Sequence, residues 1–165
     1  MTERTNQEIY FDRIAVAWAE TAPAAARSLK LARAIVGHPG FPRSTKGAQQ
    51  QPSYDYDHRA PLWDTRTQSG FYTAFGAVDE LVAAHDDALA IIGPGEELHL
   101  EFEALPAPAP GIVRRYELRT HGWAKDMDLY TRDGETIGPL PVTGKDARVA
   151  RLLHGRYNTR FAEGR

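Results

Sequence analysis

Three observations predict a mostly β chain folded as an antiparallel β-sandwich or jelly-roll-like domain with one C-terminal helix. Short apolar runs are punctuated by proline and glycine. One run, Glu97–Phe102, alternates strictly. One stripe near the C-terminus has helical spacing. At 165 residues, the length suits a single domain spanning 1–165. A chain of this size buries enough surface to need no disulfide or metal.

The elements follow in order. Glu8 to Glu20 sets Ile14, Val16 and Trp18 between alanines, a two-residue period preferred as a strand over a helix. Thr21-Ala22-Pro23 breaks it. Ser28 to Val36 is short and apolar, a strand or a helical turn, and ends at His38-Pro39-Gly40. From Arg43 to Gln68 the chain is polar and turn-rich and reads as a long loop. Tyr54, Tyr56, Leu62 and Trp63 hold that loop against the surface. Gly70 to Val82 carries Phe71, Tyr72, Phe75, Val78 and Leu81. Asp86-Asp87 is a turn, Ala88–Ile92 a buried strand and Gly93-Pro94-Gly95 a turn.

In Glu97–Phe102, Leu98, Leu100 and Phe102 face one way and Glu97, His99 and Glu101 the other, which implies one wet face. Leu105 to Gly111 is a stiff proline-rich connector. Ile112 to Thr120 returns to strand, Met127 to Thr131 is a short strand or turn, and Pro139-Leu140-Pro141 closes the β part. The helix spans about 145–156, with Val149, Leu152 and Leu153 on one stripe.

Composition narrows function. The net charge is −2, against a general nucleic-acid binder, although arginine outnumbers lysine 16 to 4. With no cysteine there is no thiolate metal site and no cysteine nucleophile. No apolar run is long enough to span a bilayer, so no membrane role is expected. The polar start Met1–Gln7 has no signal-peptide core, and the expected compartment is the cytoplasm.

Several strings resemble one family. They are Tyr116 to Asp128, with Gly122-Trp123-Ala-Lys125-Asp126-Met-Asp128 at its centre, followed by Ile137-Gly-Pro139-Leu140-Pro141. Upstream lie Gly70-Phe-Tyr72-Thr73-Ala-Phe-Gly76, Asp86-Asp87 and Gly93-Pro-Gly95-Glu96-Glu97. Glu8-Ile-Tyr10 and Gly40-Phe41 also have counterparts, and Tyr157-Asn158-Thr159-Arg160 closes the series. In this order they resemble the C-terminal region of the large FG-GAP repeat proteins that carry the ASPIC/UnbV segment, related to cartilage acidic protein. The chain would then be a stand-alone copy of that region. The resemblance implies no established reaction. It also departs from the pattern: Ala74 and Ala77 stand where the family has Arg and Asp. Val142-Thr-Gly-Lys-Asp replaces the family's His-x-Met and Tyr-Pro-Tyr stretch. The FG-GAP propeller is absent, so its calcium and cell-surface roles do not carry over.

Candidate sites are few. Asp126 and Asp128 stand at strand spacing, with Asp133 and Glu135 near, and are the candidate ligands for calcium or another divalent metal. The competing role is hydrogen bonding within a turn, and no resident cofactor is predicted. Trp123 offers a flat platform for a sugar, but its ring is expected rather to plug the end of the sandwich. His99 could meet His121 from the neighbouring strand. Arg114, Arg115 and Arg119 suit an anionic ligand, or cross-strand pairing with Glu97 and Glu101. The ligand-binding set is Tyr72, His99, Arg115, Trp123 and Lys125, and no catalytic set is identified. Two functions follow. The first is a non-catalytic binding or accessory module for a small molecule, glycan or protein partner. The alternative is a small recruited enzyme, of cyclase or isomerase type, with a pocket in the β fold.

Overall fold

The computed structural model describes residues 26–60, 67–140, 142 and 146–164. The strand expected at 8–20, Leu62, Trp63, Pro141 and the helix start at Lys145 lie outside the described residues.

Strand is the commonest regular structure. β1 (Leu31–Gly37) is the middle strand of a three-stranded antiparallel sheet, between β5 (Gly76–Ala77) and β6 (Glu97–Phe102). A strand, not a helical turn, therefore forms at 31–37. Its β-branched Ile35 and Val36 suit a pleated surface. The register sets Val36 opposite Leu98 and Ala34 opposite Leu100, so these four share one face. Ile35 opposite His99 and Arg33 opposite Glu101 occupy the other. The expected strand at 97–102 is present with both ends as read.

The first face of this sheet meets the core. Ala34, Val36, Val78, Leu81, Ala88 and Ala150 are buried together, with Leu98, Leu100, Leu153 and Tyr157 packed around them. Val78 and Leu81 arrive on a 3₁₀ turn, Asp79–Leu81, which Asp79 ties to β1 by accepting the Ala34 N–H at 2.8 Å. Ala88–Ile92 forms no strand. Its Ile91 carbonyl accepts the Thr73 N–H at 3.0 Å, and its other backbone bonds go to side chains, as described below.

The long polar loop expected from Arg43 to Gln68 holds a hairpin. β2 (Phe41–Lys46) pairs with β3 (Pro52–Ala60), with a register shift between Pro42 and Arg43. Asp55 produces the bend, accepting the N–H groups of Asp57 and His58 at 3.0 and 3.2 Å. Gly40 leads into the hairpin with φ +85°, a left-handed conformation that favours glycine, and a Cβ there would lie 2.9 Å from the Ala60 carbonyl oxygen. Arg59 fastens the hairpin to the main sheet through Glu97 at 2.9 Å.

A third sheet joins β4 (Gly70–Tyr72) to β7 (Arg160–Ala162). Ser69 extends it by a parallel bridge to Thr136. The described strands thus form three small antiparallel sheets and one helix, α1 (Ala147–Tyr157). α1 matches the expected helix, but a different stripe faces inward. Ala150 and His154 are buried and Leu153 and Tyr157 half-buried, whereas Val149 and Leu152 are exposed. Ala150 sets the inward phase at i, i+3, i+4 and i+7. No helix among the described residues is long and apolar enough to cross a membrane.

The expected strand at Ile112–Thr120 is not formed. Residues 103–128 run as an irregular strap past the main sheet, with large apolar side chains in solvent: Val113 is 81% exposed and Tyr116 70%.

His154 gives the fold a pH dependence. Its Nε2 accepts the Leu89 N–H at 2.9 Å, so the buried ring is neutral with its proton on Nδ1. Burial lowers its pKa, while Asp86 and Asp87 pull the other way. The unfolded ring titrates near about 6.5. Just below that value the unfolded chain binds more protons than the folded one, so acid favours unfolding. Stability is expected to fall as the pH drops through the unfolded value and to level off once the folded ring is protonated. His154→Gln keeps an acceptor for Leu89 and removes the titration. Urea unfolding at each pH should give a flatter curve for this variant. Parallel curves for the two proteins would place the dependence on another group.

Candidate functional site

Beside β6 lies a cleft of about 1920 Å³. It is lined by the Leu98, Leu100 and Phe102 row, by Leu81 and the loop after the 3₁₀ turn, and by the strap. The chain rises into it at Ala26–Leu31. Among the described residues β6 is an edge strand, and the strap that follows it in sequence does not pair with it.

Six of the seven residues singled out from sequence line this cleft: Tyr72, Arg115, Trp123, Lys125, Asp126 and Asp128. The seventh, His99, does not. It stands on the opposite face of β6, its Nε2 3.6 Å from Glu101. His121 also finds a different partner, since its ring lies 4.2 Å from that of His85, centroid to centroid. This is where the strap touches the loop after the 3₁₀ turn. The alternation of β6 had already separated His99 from the apolar face. Nothing in the sequence marked His85.

The lining residues differ in what they are free to do. Tyr72 is 2% exposed and donates its hydroxyl to the Gln68 carbonyl at 2.9 Å. Burial, and then the nearby Glu96, raise its pKa. It is a wall of the cleft rather than a reactive group. Trp123 is 49% exposed. It does not plug a sandwich end: the strap carries it outside the core, and it lines the cleft. Lys125 donates to the Gly138 carbonyl at 3.2 Å, and Arg115 is exposed on the strap.

The acidic pair is built into a turn. Asp128 Oδ1 accepts from the Tyr130 N–H, the Thr131 N–H and the Thr131 hydroxyl at 2.9, 2.7 and 2.8 Å. These bonds, the Thr131 hydroxyl first, hold its carboxyl below the usual carboxylate range. The turn closes on Gly134, where a Cβ would lie 3.1–3.2 Å from the carbonyl oxygens of Asp126, Asp128 and Thr131. Only glycine fits that approach without displacing backbone. Asp126 and Asp128 therefore share one turn. Among the described residues no group of three or more histidines, aspartates or glutamates is arranged to hold a metal ion.

The arginines of the strap do not reach the partners expected for them. Glu97 pairs with Arg59, and Glu101 lies 3.8 Å from Arg33. Arg119 pairs with Glu117 on the strap itself, and Arg114 donates to the Pro106 carbonyl.

Behind the cleft lies a polar network that the residue patterns did not single out. Thr73 is fully buried. Its hydroxyl donates to Asn158 Oδ1 and accepts the Ile91 N–H, both at 2.7 Å. Asn158 donates to the Leu89 carbonyl at 3.2 Å. Arg160 donates to the Thr73 carbonyl at 3.2 Å, and its guanidinium lies 2.6 Å from Glu96 and 4.3 Å from the Phe75 ring centre. The Glu96 contact is a close ion pair whose angle falls outside a hydrogen bond. Comparison with known proteins gives no match: no family model matches the chain, and no curated protein or solved structure does. The network nevertheless joins strings that lie far apart in sequence. Gly70–Gly76 supplies Thr73, Gly93–Glu97 supplies Glu96, and Tyr157–Arg160 supplies Asn158 and Arg160. The only signal available for these residues was their membership of the strings quoted for the family resemblance.

Proposed function

We propose that the chain is a non-catalytic binding module of sandwich type, and that its cleft takes an elongated, glycan-like ligand. The observation that carries this reading is the convergence of Trp123, Tyr116, Arg115, Lys125 and Asp126 on one cleft. A half-exposed indole supplies a flat apolar face, and charged side chains beside it supply hydrogen bonds at the edges of a sugar ring. The volume exceeds the roughly 300–1,000 Å³ of a small-molecule pocket, which favours a chain of several units. His99 faces away from the cleft while Arg115, Tyr116 and Asp126 line it, and the binding reading is preferred because these residues form no coherent catalytic set. The resemblance to the C-terminal region of FG-GAP and ASPIC/UnbV proteins, which implies no reaction, agrees with it.

The test is a panel of oligosaccharides scored by thermal shift, because a ligand that binds only the folded state must stabilise it. Saturation at a hundredfold excess over Kd contributes about 2.7 kcal/mol. Trp123→Ala is expected to weaken the active sugar about tenfold while leaving the melting temperature of the free protein unchanged. A panel without any shift, or a shift that survives Trp123→Ala, would overturn the reading.

A further inference from the structure

We infer that residues 112–119 of the strap, which stand unpaired in this structure, have a second, docked state in which they add as an antiparallel strand to the free edge of β6, with Tyr116 opposite Leu100. This goes beyond the ligand reading and requires no ligand. β6 is an edge among the described residues, with backbone groups unpaired along its outer side. An open six-residue edge is a template for another strand. The strap holds a segment of strand composition whose apolar side chains are unused: Ile112, Val113, Tyr116 and Leu118 are all more than half exposed. It is tethered to β6 through the proline-rich connector. Gly111, at the end of that connector, already has a positive φ of +80°.

The register follows from chemistry. With Tyr116 opposite Leu100, Leu118 stands opposite Leu98, and both extend the apolar row that lines the cleft. On the other face Arg119 meets Glu97, Glu117 meets His99 and Arg115 meets Glu101. Every charged pair is then opposite in sign or joins an acid to a histidine. A slip of one residue sends the apolar and charged sets to the wrong faces. A slip of two places Glu117 against Glu97 or Glu101, and like charges directly opposite destabilise a sheet. Among these in-phase registers it alone avoids like-charge pairs, and it leaves two mismatches, Arg114 opposite Phe102 and Val113 opposite Glu103. It sets Glu101 between Arg33, across β1, and Arg115, and it asks Glu97 to be shared with Arg59. Docking also withdraws Arg115 from the cleft wall, so its ligand contact belongs to the undocked strap.

The chain has no cysteine, so paired cysteines report on register without background. L100C/Y116C is expected to form a disulfide in a glutathione redox buffer, because directly opposed residues meet the geometry of that bond. L100C/E117C, with the two side chains on opposite faces, is expected to stay reduced. Oxidation of both pairs alike, or of neither, would overturn the docking. Hydrogen exchange on the unmodified protein is an independent measurement if either variant misfolds. Alternate amides of 112–119 should exchange about tenfold or more slowly than those of the connector 105–111. Equal, unprotected rates in both segments would sink the inference.

Discussion

Thr73→Val is expected to lower the free energy of unfolding by about 2–4 kcal/mol, although the two side chains have nearly the same shape. The Thr73 hydroxyl is fully buried and serves two partners, the Ile91 N–H and Asn158 Oδ1, each at 2.7 Å. Valine fills the volume and satisfies neither. Each orphaned polar group loses its partner without regaining water, at about 1–3 kcal/mol apiece. The loss also spreads, because Asn158 holds the Leu89 carbonyl with its amide. Ala88–Ile92 has no strand partner among the described residues, and its backbone is held by these side chains together with Asp86, His154 and the Thr73 N–H. Urea unfolding should show a lower midpoint with an unchanged slope. Thr73→Ser restores the hydroxyl and should recover most of the loss. A valine variant as stable as the serine variant would mean that the hydroxyl contributes shape alone.

The same network marks the limit of what residue patterns reveal. β6 was legible because one of its faces is wet and the other packs on the core, which stamps a two-residue period on the sequence. α1 was legible as a helix, but its inward face was misjudged. Alanine and histidine fill that face, and larger Val149 and Leu152 point to solvent. The β2–β3 hairpin was illegible for a physical reason. Most of its side chains are exposed, and its pairing is backbone bonding that no periodicity records. Pro42 and Pro52 further disguised it, since proline is tolerated on strands with an open edge. Ile112–Thr120 is the opposite case, a strand pattern on a segment that the structure leaves unpaired.

The grouping of the candidate residues was partly legible in the sequence. Six of the seven residues share a cleft because four of them, Trp123 to Asp128, travel on one short strap segment, so placing one places all. His99 stands on the polar face of β6, as the alternation implies, and so on the side away from the cleft. The buried network escaped because its members are distant in sequence and each is an ordinary residue type. Thr73 and Asn158 are separated by 85 positions. Only chain topology, pairing β4 with β7, brings them together.

Arg160→Met is the second large effect, expected to destabilise by about 2–3 kcal/mol, and it differs from the first in being chiefly electrostatic. The Glu96 side chain is 7% exposed and its nearest cation is the Arg160 guanidinium at 2.6 Å. Removing the cation leaves a carboxylate that is shielded from water and supported, among the described residues, by the Gly93 N–H at 2.8 Å. A fully buried pair broken in this way loses about 3–5 kcal/mol, and partial solvent access to Arg160 reduces the figure. Loss of the guanidinium over Phe75 adds a smaller share. The decisive measurement is the double variant Glu96→Gln/Arg160→Met. Glutamine keeps an acceptor for Gly93 and removes the stranded charge, so the double variant should be about 1–2 kcal/mol more stable than Arg160→Met alone. Strict additivity would show that the two groups do not sense each other. The junction of β7 with the Gly93–Glu97 turn would then be held by packing on Tyr72 and Phe75, and added salt would leave both proteins unchanged.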